Sequence, residues 1–314
     1  MRFAKGHGTG NDFLILPDPE DAAALSPAFV ASLCDRRTGL GADGILRVVR
    51  ASGAGREPAE GGWFMDYRNA DGSIAEMCGN GVRVFARYLI EHGLAEGPEL
   101  AVVTRAGLRQ VREEASGELT VDMGAPAVLG RSTAMIAGRP QVGLEVSLGN
   151  PHLACVVDSP VAAIDLSAPP VVDHGRFPDG ANVEVIRVLA DGHLEMRVYE
   201  RGSGTTLSCG TGAVAAAVAA AVAVRTAAAR PGNGQPGVVG ATDLAGAADL
   251  IGTVGLTGAA DLAGTWTVQV PGGTLTVTLT GATSLLTGPA VIVAEGELDP
   301  AWLEDLAVAA PDPA

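Results

Sequence analysis

Two short words decide how this chain folds: Met77-Cys78-Gly79-Asn80-Gly81 and Ser208-Cys209-Gly210-Thr211-Gly212. Each sets a cysteine and two small flexible residues in front of a run with helical periodicity. After the first, Val82, Phe85, Tyr88 and Leu89 recur at the 3.6-residue spacing of a helix face, so a helix is expected from at or just after Cys78-Gly79 to His92. After the second, an Ala- and Val-rich run predicts a helix to about Arg230.

Outward from these words the two halves of the chain follow one plan. A Gly-Asn turn comes first in each, Gly10-Asn11 and then Gly149-Asn150, and the Cys-Gly-x-Gly start follows 67 and 59 residues after the respective Asn. Nine residues before each cysteine stands a polar turn residue, Asn69 and Glu200. Strands are predicted over 2–5, 13–16 and 63–67 in the first half. In the second they are predicted over 144–148, 152–157, 182–188, 193–199, 266–270, 275–279 and 290–294, with 200–208 rich in turns. Ser26-Pro27, an N-cap followed by Pro at the first helical position, opens a helix to about Arg37. Such matched order suggests duplication into two α/β halves facing each other.

The composition narrows the function. The 314 residues carry 21 basic and 36 acidic side chains, a formal charge of −15, and Lys5 is the only lysine. A nucleic-acid partner needs clustered cations and is excluded on this reading. The longest apolar run, 213–224, is 12 residues, short of the ~18 that a membrane span needs. Gly-rich polar sequence follows Met1 directly, leaving no room for a signal peptide, so neither a membrane nor secretion is expected. The four cysteines, Cys34, Cys78, Cys155 and Cys209, form no Cys-x-x-Cys pair, and a reduced cytoplasmic setting is expected. Residues 225–264, rich in Gly and Ala with Gly-Ala-Ala-Asp-Leu at 246–250 and again at 258–262, read as a mobile insertion. Residues 50–62 read as a smaller one. The tail after Asp299, with three prolines, is expected to fray at its end.

A thiol at a helix N-terminus feels the positive end of the helix dipole and nearby free N–H groups. Both favour the thiolate and draw the pKa from about 8.5 toward neutrality. The glycine after each cysteine bares backbone N–H groups to a carboxylate. Two such sites in related halves imply one small anionic substrate between two thiols, one removing a proton and the other returning one to the opposite face. The inversion then needs no cofactor. Cys34, in a helix, and Cys155, in an apolar strand, read as inert.

These words resemble the diaminopimelate epimerase family, a pyridoxal-phosphate-independent group. The likeness extends through Gly10-Asn11-Asp12-Phe13, Asn69-Ala70-Asp71-Gly72-Ser73, Gly149-Asn150-Pro151-His152, Glu200-Arg201-Gly202 and Gly288-Pro289-Ala290. It implies a mixed α/β fold of two pseudo-symmetric domains, each a curved mixed sheet wrapped around a central helix, with the active site in the cleft between them. With the repeated order it divides the chain into residues 1–120 plus 287–314, carrying Cys78, and 121–286, carrying Cys209. It also implies a cytoplasmic homodimer acting in lysine and peptidoglycan precursor synthesis, interconverting LL- and meso-diaminopimelate without cofactor or metal. The insertion after Val48 looks like actinobacterial members.

By motif, the resemblance makes Cys78 and Cys209 the acid–base pair and His152 and Glu200 the residues that tune them. Gly79-Asn80 and Gly210-Thr211 would hold the reacting carboxylate. Asn11, Asn69, Asn150, Asn182, Glu200 and Arg201 would hold the other polar groups of the substrate. Two departures stand out: Gly44, where many members have Gln, and Gly204-Thr205-Thr206, where Gly-Glu-Thr is usual. The nearest rival is a proline or hydroxyproline racemase, which usually has His where this chain has Asn80. From another class, a thiol redox or zinc-binding protein could use Cys78, Cys209 and His152, although their spacing is not compact.

Overall fold

The computed structural model describes residues 1–52, 54, 62–229, 240 and 262–309 of the chain, with side chains to residue 304. They form two compact units, Met1–Val121 with Gly288–Ala314, and Asp122–Thr287.

In the first unit eight strands pair in the order β18 (Val291–Glu297), β1 (Arg2–Gly8), β2 (Asn11–Pro17), β3 (Gly44–Arg50), β4 (Trp63–Asn69), β5 (Glu99–Thr104), β6 (Gly107–Glu113) and β7 (Leu119–Gly124). Successive pairs are antiparallel, antiparallel, parallel, antiparallel, parallel, antiparallel and antiparallel. Helix α2 (Gly79–Glu91) leaves β4, packs along the sheet and leads to β5. Its buried face carries Val82, Phe85 and Leu89, as its periodicity requires. On the other side of β1–β3, Leu14, Leu16, Ile45 and Leu298 pack with Val30, Leu33 and Cys34 of helix α1 (Pro27–Cys34).

The second unit repeats this plan strand for strand. Its order is β8 (Ala127–Ile136), β9 (Arg139–Ser147), β10 (Pro151–Val156), β12 (Asn182–Ala190), β13 (His193–Glu200), β15 (Gly264–Val270), β16 (Gly273–Leu279) and β17 (Ser284–Gly288). The same alternation of parallel and antiparallel pairs recurs. Two short strands are added, β11 (Val171–Val172) beside β8 and β14 (Gly204–Thr206) beside β13. Helix α3 (Gly210–Ala228) follows β13 and β14 and packs on β9, β10, β12, β13, β15 and β16. Enclosed on nearly every side, it is built of Ala and Val all round. Among the described residues it is the one helix long and apolar enough to cross a membrane, and 78% of its apolar window is buried inside the protein. Its composition therefore fits a core position.

Several boundaries differ from the expectation. Helix α1 stops at Cys34, not Arg37, because Asp35 turns extended and its carboxylate takes the N–H groups of Arg37 and Thr38. Residues 225–228 belong to α3, not to the insertion, while 230–239 and 241–261 of the insertion lie outside the described residues. So does most of the 50–62 segment, residues 53 and 55–61. The tail is helical, α4 (Pro300–Ala309), with Asp299 capping the N–H groups of Ala301 and Trp302. Residues 310–314 are outside the described set.

Candidate active site

Both cysteines are N-caps. Cys78 is extended (φ −141°, ψ 122°), and its Sγ accepts the Gly81 N–H at 3.5 Å. Cys209 is extended (φ −128°, ψ 120°), and its Sγ accepts the Gly212 N–H at 3.4 Å. The helix starts that the sequence predicts one residue either way are thus fixed by thiols doing what Ser or Asp usually does.

Around Cys78 the partners are amides. Its thiol donates to Asn11 Oδ1 at 3.6 Å, and the same oxygen accepts from Asn80 Nδ2 at 3.3 Å. Asn11 Nδ2 donates to Asp43 at 2.8 Å, and Asn80 Oδ1 accepts from Arg83 Nη2 at 2.9 Å. A carboxylate only accepts and a guanidinium only donates, so these two ends fix the orientation of both amides. Arg83 is wholly buried, also donating to the carbonyls of Gly79 and Pro289. Burial pushes its guanidinium down to about 10, against the opposing pull of charge on Cys78.

Around Cys209 the partners ionise. His152 Nδ1 meets Glu184 Oε1 at 2.7 Å, and both side chains are fully buried. His152 Nε2 faces Asn150 Oδ1 at 3.1 Å, Asn150 Nδ2 faces Thr211 Oγ1 at 3.4 Å, and Thr211 Oγ1 lies 3.5 Å from Cys209 Sγ. Glu200 takes hydrogen bonds from Thr206 and from Cys209, yet burial holds its carboxyl above the usual range. Burial first, then the charges of Glu200 and Glu184, push the Cys209 thiol well up, despite hydrogen bonds from Thr211 and Gly212. This corrects the expectation of a thiolate at both helix starts. For Cys209 the helix end is outweighed by the lost solvation and by two neighbouring carboxylates.

The other sequence-predicted residues fall nearby but are engaged locally. Asn69 donates to Ser73 Oγ within its own turn, at 3.0 Å. Asn182 donates to Pro151 O at 3.3 Å and accepts the backbone N–H of Arg201 at 2.9 Å, tying the start of β12 to the end of β13. The Arg201 side chain is exposed, and Gly79 and Gly210 open their helices. Thr206 supplies Glu200 with a hydroxyl, and Thr205 donates to Leu166 O at 2.6 Å. At Gly44 a Cβ would stand 2.5 Å from Arg68 O, so a longer side chain there needs a backbone shift. Cys34 and Cys155 lie in separate outer clusters. Burial raises both thiols, that of Cys34 to about 12.

Sequence reasoning passed over Glu184, Asp43 and Arg83. A signal for Glu184 was there: one charge inside Asn182-Val183-Glu184-Val185-Ile186, a strand apolar on both faces, needs a buried partner.

The two helix starts differ in tolerance. A Cβ at Gly81 would meet Leu46 at 3.3 Å, whereas at Gly212 it would meet Glu184 Oε1 at 2.8 Å and Cys209 Sγ at 3.3 Å. Gly212→Ala is therefore expected to destabilise the protein by about 1–3 kcal/mol through overpacking. Gly81→Ala should stay within about 1 kcal/mol of the parent, since the gain in helix propensity offsets the tighter contact. Urea unfolding of the two variants checks the contrast.

The sequence profile described as "Diaminopimelate epimerase" matches residues 3–129 and 145–232. The diaminopimelate epimerase of Thermobifida fusca (strain YX) is 53% identical over 306 residues, covering 95% of this chain and 98% of that one. That of Mycolicibacterium smegmatis is 48% identical over 320 residues, covering 96% and 98%. Among solved structures, a hydroxyproline epimerase from Agrobacterium vitis aligns with a TM-score of 0.59 at 14% identity, over 96% of this chain and 94% of that one. A probable proline racemase from Agrobacterium radiobacter K84 aligns at 0.57 and 14% identity, over 95% and 93%. At such identities these two show a shared fold. With its profile match and its near-full-length identity to actinobacterial relatives, the chain belongs to the diaminopimelate epimerase family.

Proposed function

We propose that this protein interconverts LL- and meso-diaminopimelate by a two-base mechanism without a cofactor. In this reading it is a cytoplasmic homodimer serving lysine and peptidoglycan precursor synthesis. Cys78 and Cys209 serve opposite faces of the α-carbon. One thiolate takes the α-proton while the other group, as a thiol, delivers its own. The observation that carries the reading is the pair of N-capping thiols, one in each of two units with the same strand order. The N–H groups of Gly79-Asn80 and of Gly210-Thr211, in the first turns of their helices, point toward the positive helix ends and favour the charge that develops on the carboxylate.

Burial and two carboxylates favour the protonated form of Cys209 in the substrate-free protein, and over the two directions of the reaction each thiol is base for one isomer and acid for the other. Asn11, Asn69, Asn150, Asn182, Glu200 and Arg201 are assigned to the remaining polar groups of the substrate. A proline racemase is the weaker reading: identity to such proteins is 14%, against 53% to a diaminopimelate epimerase.

Chiral analysis of LL-diaminopimelate incubated in deuterated water tests the proposal. Meso product should form with no added cofactor, carrying solvent deuterium at the inverted carbon while unreacted substrate carries almost none. Equal early labelling of both pools would mean a single exchanging base and would overturn the two-thiol reading.

A further inference from the structure

The duplicated units contain their own comparison. In the first, Phe13 pairs in parallel register with Gly44, and Leu46 lies two residues further along β3. In the second, His152 pairs in parallel register with Asn182, and Glu184 lies two residues further along β12. The surroundings of the two helix-start glycines show the same correspondence. Leu46 and Phe13 lie beneath Gly81, while Glu184 lies beneath Gly212. The fold thus accepts an apolar pair at these positions in one unit and buries a histidine and a carboxylate in the other. Burying an ionisable pair costs more desolvation than packing Phe on Leu. One oxygen of the buried pair, Glu184 Oε2, also has no hydrogen-bond partner among the described residues. The fold accepts an apolar pair in its place, and the charged pair lies against the start of the helix that Cys209 caps.

From Glu184 an unbroken series of contacts reaches the thiol: 2.7 Å to His152 Nδ1, 3.1 Å from Nε2 to Asn150, 3.4 Å from Asn150 to Thr211, and 3.5 Å from Thr211 to Cys209. Every inner member can donate or accept, because an amide can turn and a hydroxyl can rotate. The carboxylate end only accepts. Resting on the reading of Cys209 as an acid–base group, we propose that Glu184 is a positioning residue for it. By accepting the Nδ1 hydrogen of His152, Glu184 anchors a chain through Asn150 and Thr211 in which one proton resides on either Cys209 or His152 Nε2.

The two arrangements balance. With the proton on sulfur, Cys209 donates to Thr211, Thr211 to Asn150 Oδ1, Asn150 Nδ2 to a bare Nε2, and Nδ1 to Glu184. With the proton on Nε2, that nitrogen donates to Asn150 Oδ1, Asn150 Nδ2 to Thr211, and Thr211 to the thiolate. They differ by a half-turn of one amide, the rotation of one hydroxyl and the place of one proton. Asn150 stands with Oδ1 on Nε2 and Nδ2 on Thr211, so the first arrangement is reached by turning that one amide. Besides this chain, Cys209 is faced by Glu200 from the end of β13 and by the N–H of Gly212 from its own helix. A negative charge left on sulfur during turnover is thus matched by a positive one on His152, which a direct contact alone would not provide.

The test is a double-mutant cycle on substrate-free protein. Its readout is the pH at which iodoacetamide half-alkylates Cys209, followed by mass mapping of that peptide. Glu184→Gln should move this midpoint in the parent and in Thr211→Ser, which keeps the hydroxyl. In Thr211→Val, which cuts the chain, most of that movement should vanish. Equal movement in all three backgrounds would assign the effect to the bare charge of Glu184 and overturn the chain, as would no movement in any. Should Glu184→Gln not fold, nitrogen-15 spectra of the His152 ring in the parent and in Cys209→Ala decide the matter. Nε2 should respond to loss of the thiol, and an unchanged ring would overturn the proposal. Neither measurement uses turnover. A parent protein that fails the chiral assay yet shows the coupling would therefore refute the epimerase reading and leave the chain standing.

Discussion

Cys78→Ala and Cys209→Ala should each lower the rate of inversion by ~10²–10⁴-fold or more, the range contributed by a positioned acid or base. The two losses should differ in kind. In Cys209→Ala the remaining thiol can still remove a proton, so exchange of the α-hydrogen with solvent can outlast inversion, with the starting configuration retained. Cys34→Ala and Cys155→Ser act as controls. Both sulfurs lie in outer apolar clusters, and Cys155 stands on the face of β10 opposite His152. Activity per folded molecule should survive in both. A folded but inactive variant at either position would contradict the assignment.

Asp66→Ala should cost up to about 3–5 kcal/mol of stability, because it removes the buried carboxylate that three largely buried guanidinium groups share, although Arg47 keeps Asp18 and Asp21. The Asp66 carboxylate is 1% exposed and takes ion pairs from Arg47 at 2.9 Å, from Arg68 at 3.1 Å and from Arg105. Burial alone would raise its carboxyl, but hydrogen bonds from Arg105 and Arg68, with their charges, hold it below the usual range. The sign of the pH effect follows. A carboxyl lowered on folding stabilises the protein fully above its unfolded value of about 3.9, and that contribution disappears as pH falls through the lower folded value. The parent should therefore lose stability steeply on acidification, while Asp66→Asn, which no longer titrates, should start lower and fall less. Urea unfolding at neutral and acid pH measures both. Hydrogen exchange should place the loosening in β3 and β4, which carry Arg47, Asp66 and Arg68.

The repeat was legible because it is written in helix starts, where thiol, glycine and apolar period coincide. Much of the rest was not. Strand β6 went unread because Gly107–Glu113 buries a single residue, Val111, and lacks a clean alternation. Strand β17 escaped because its five residues, Ser284–Gly288, carry too short a signal. The terminal helix was readable: Asp299-Pro300 is the same cap-then-proline signal as Ser26-Pro27, masked by the prolines beyond it. At the site, motif placed the cysteines, but proximity set the chemistry of Cys209. Glu184 comes from a strand 25 residues upstream in sequence, and only the fold brings its charge beneath the helix start.

The first strand of the chain pairs with the last: Arg2 lies opposite Glu297, and the Leu298 N–H bonds to Met1 O. On the ribosome this fixes an order of events. When residue 287 has emerged, the unit with Cys209 has every one of its strands available. The unit with Cys78, although begun first, still lacks the strand that flanks β1. Until residues 291–297 have emerged, β1 keeps an open edge, a template for mispairing with other nascent chains. The unit begun first can therefore be closed only after the other has been made.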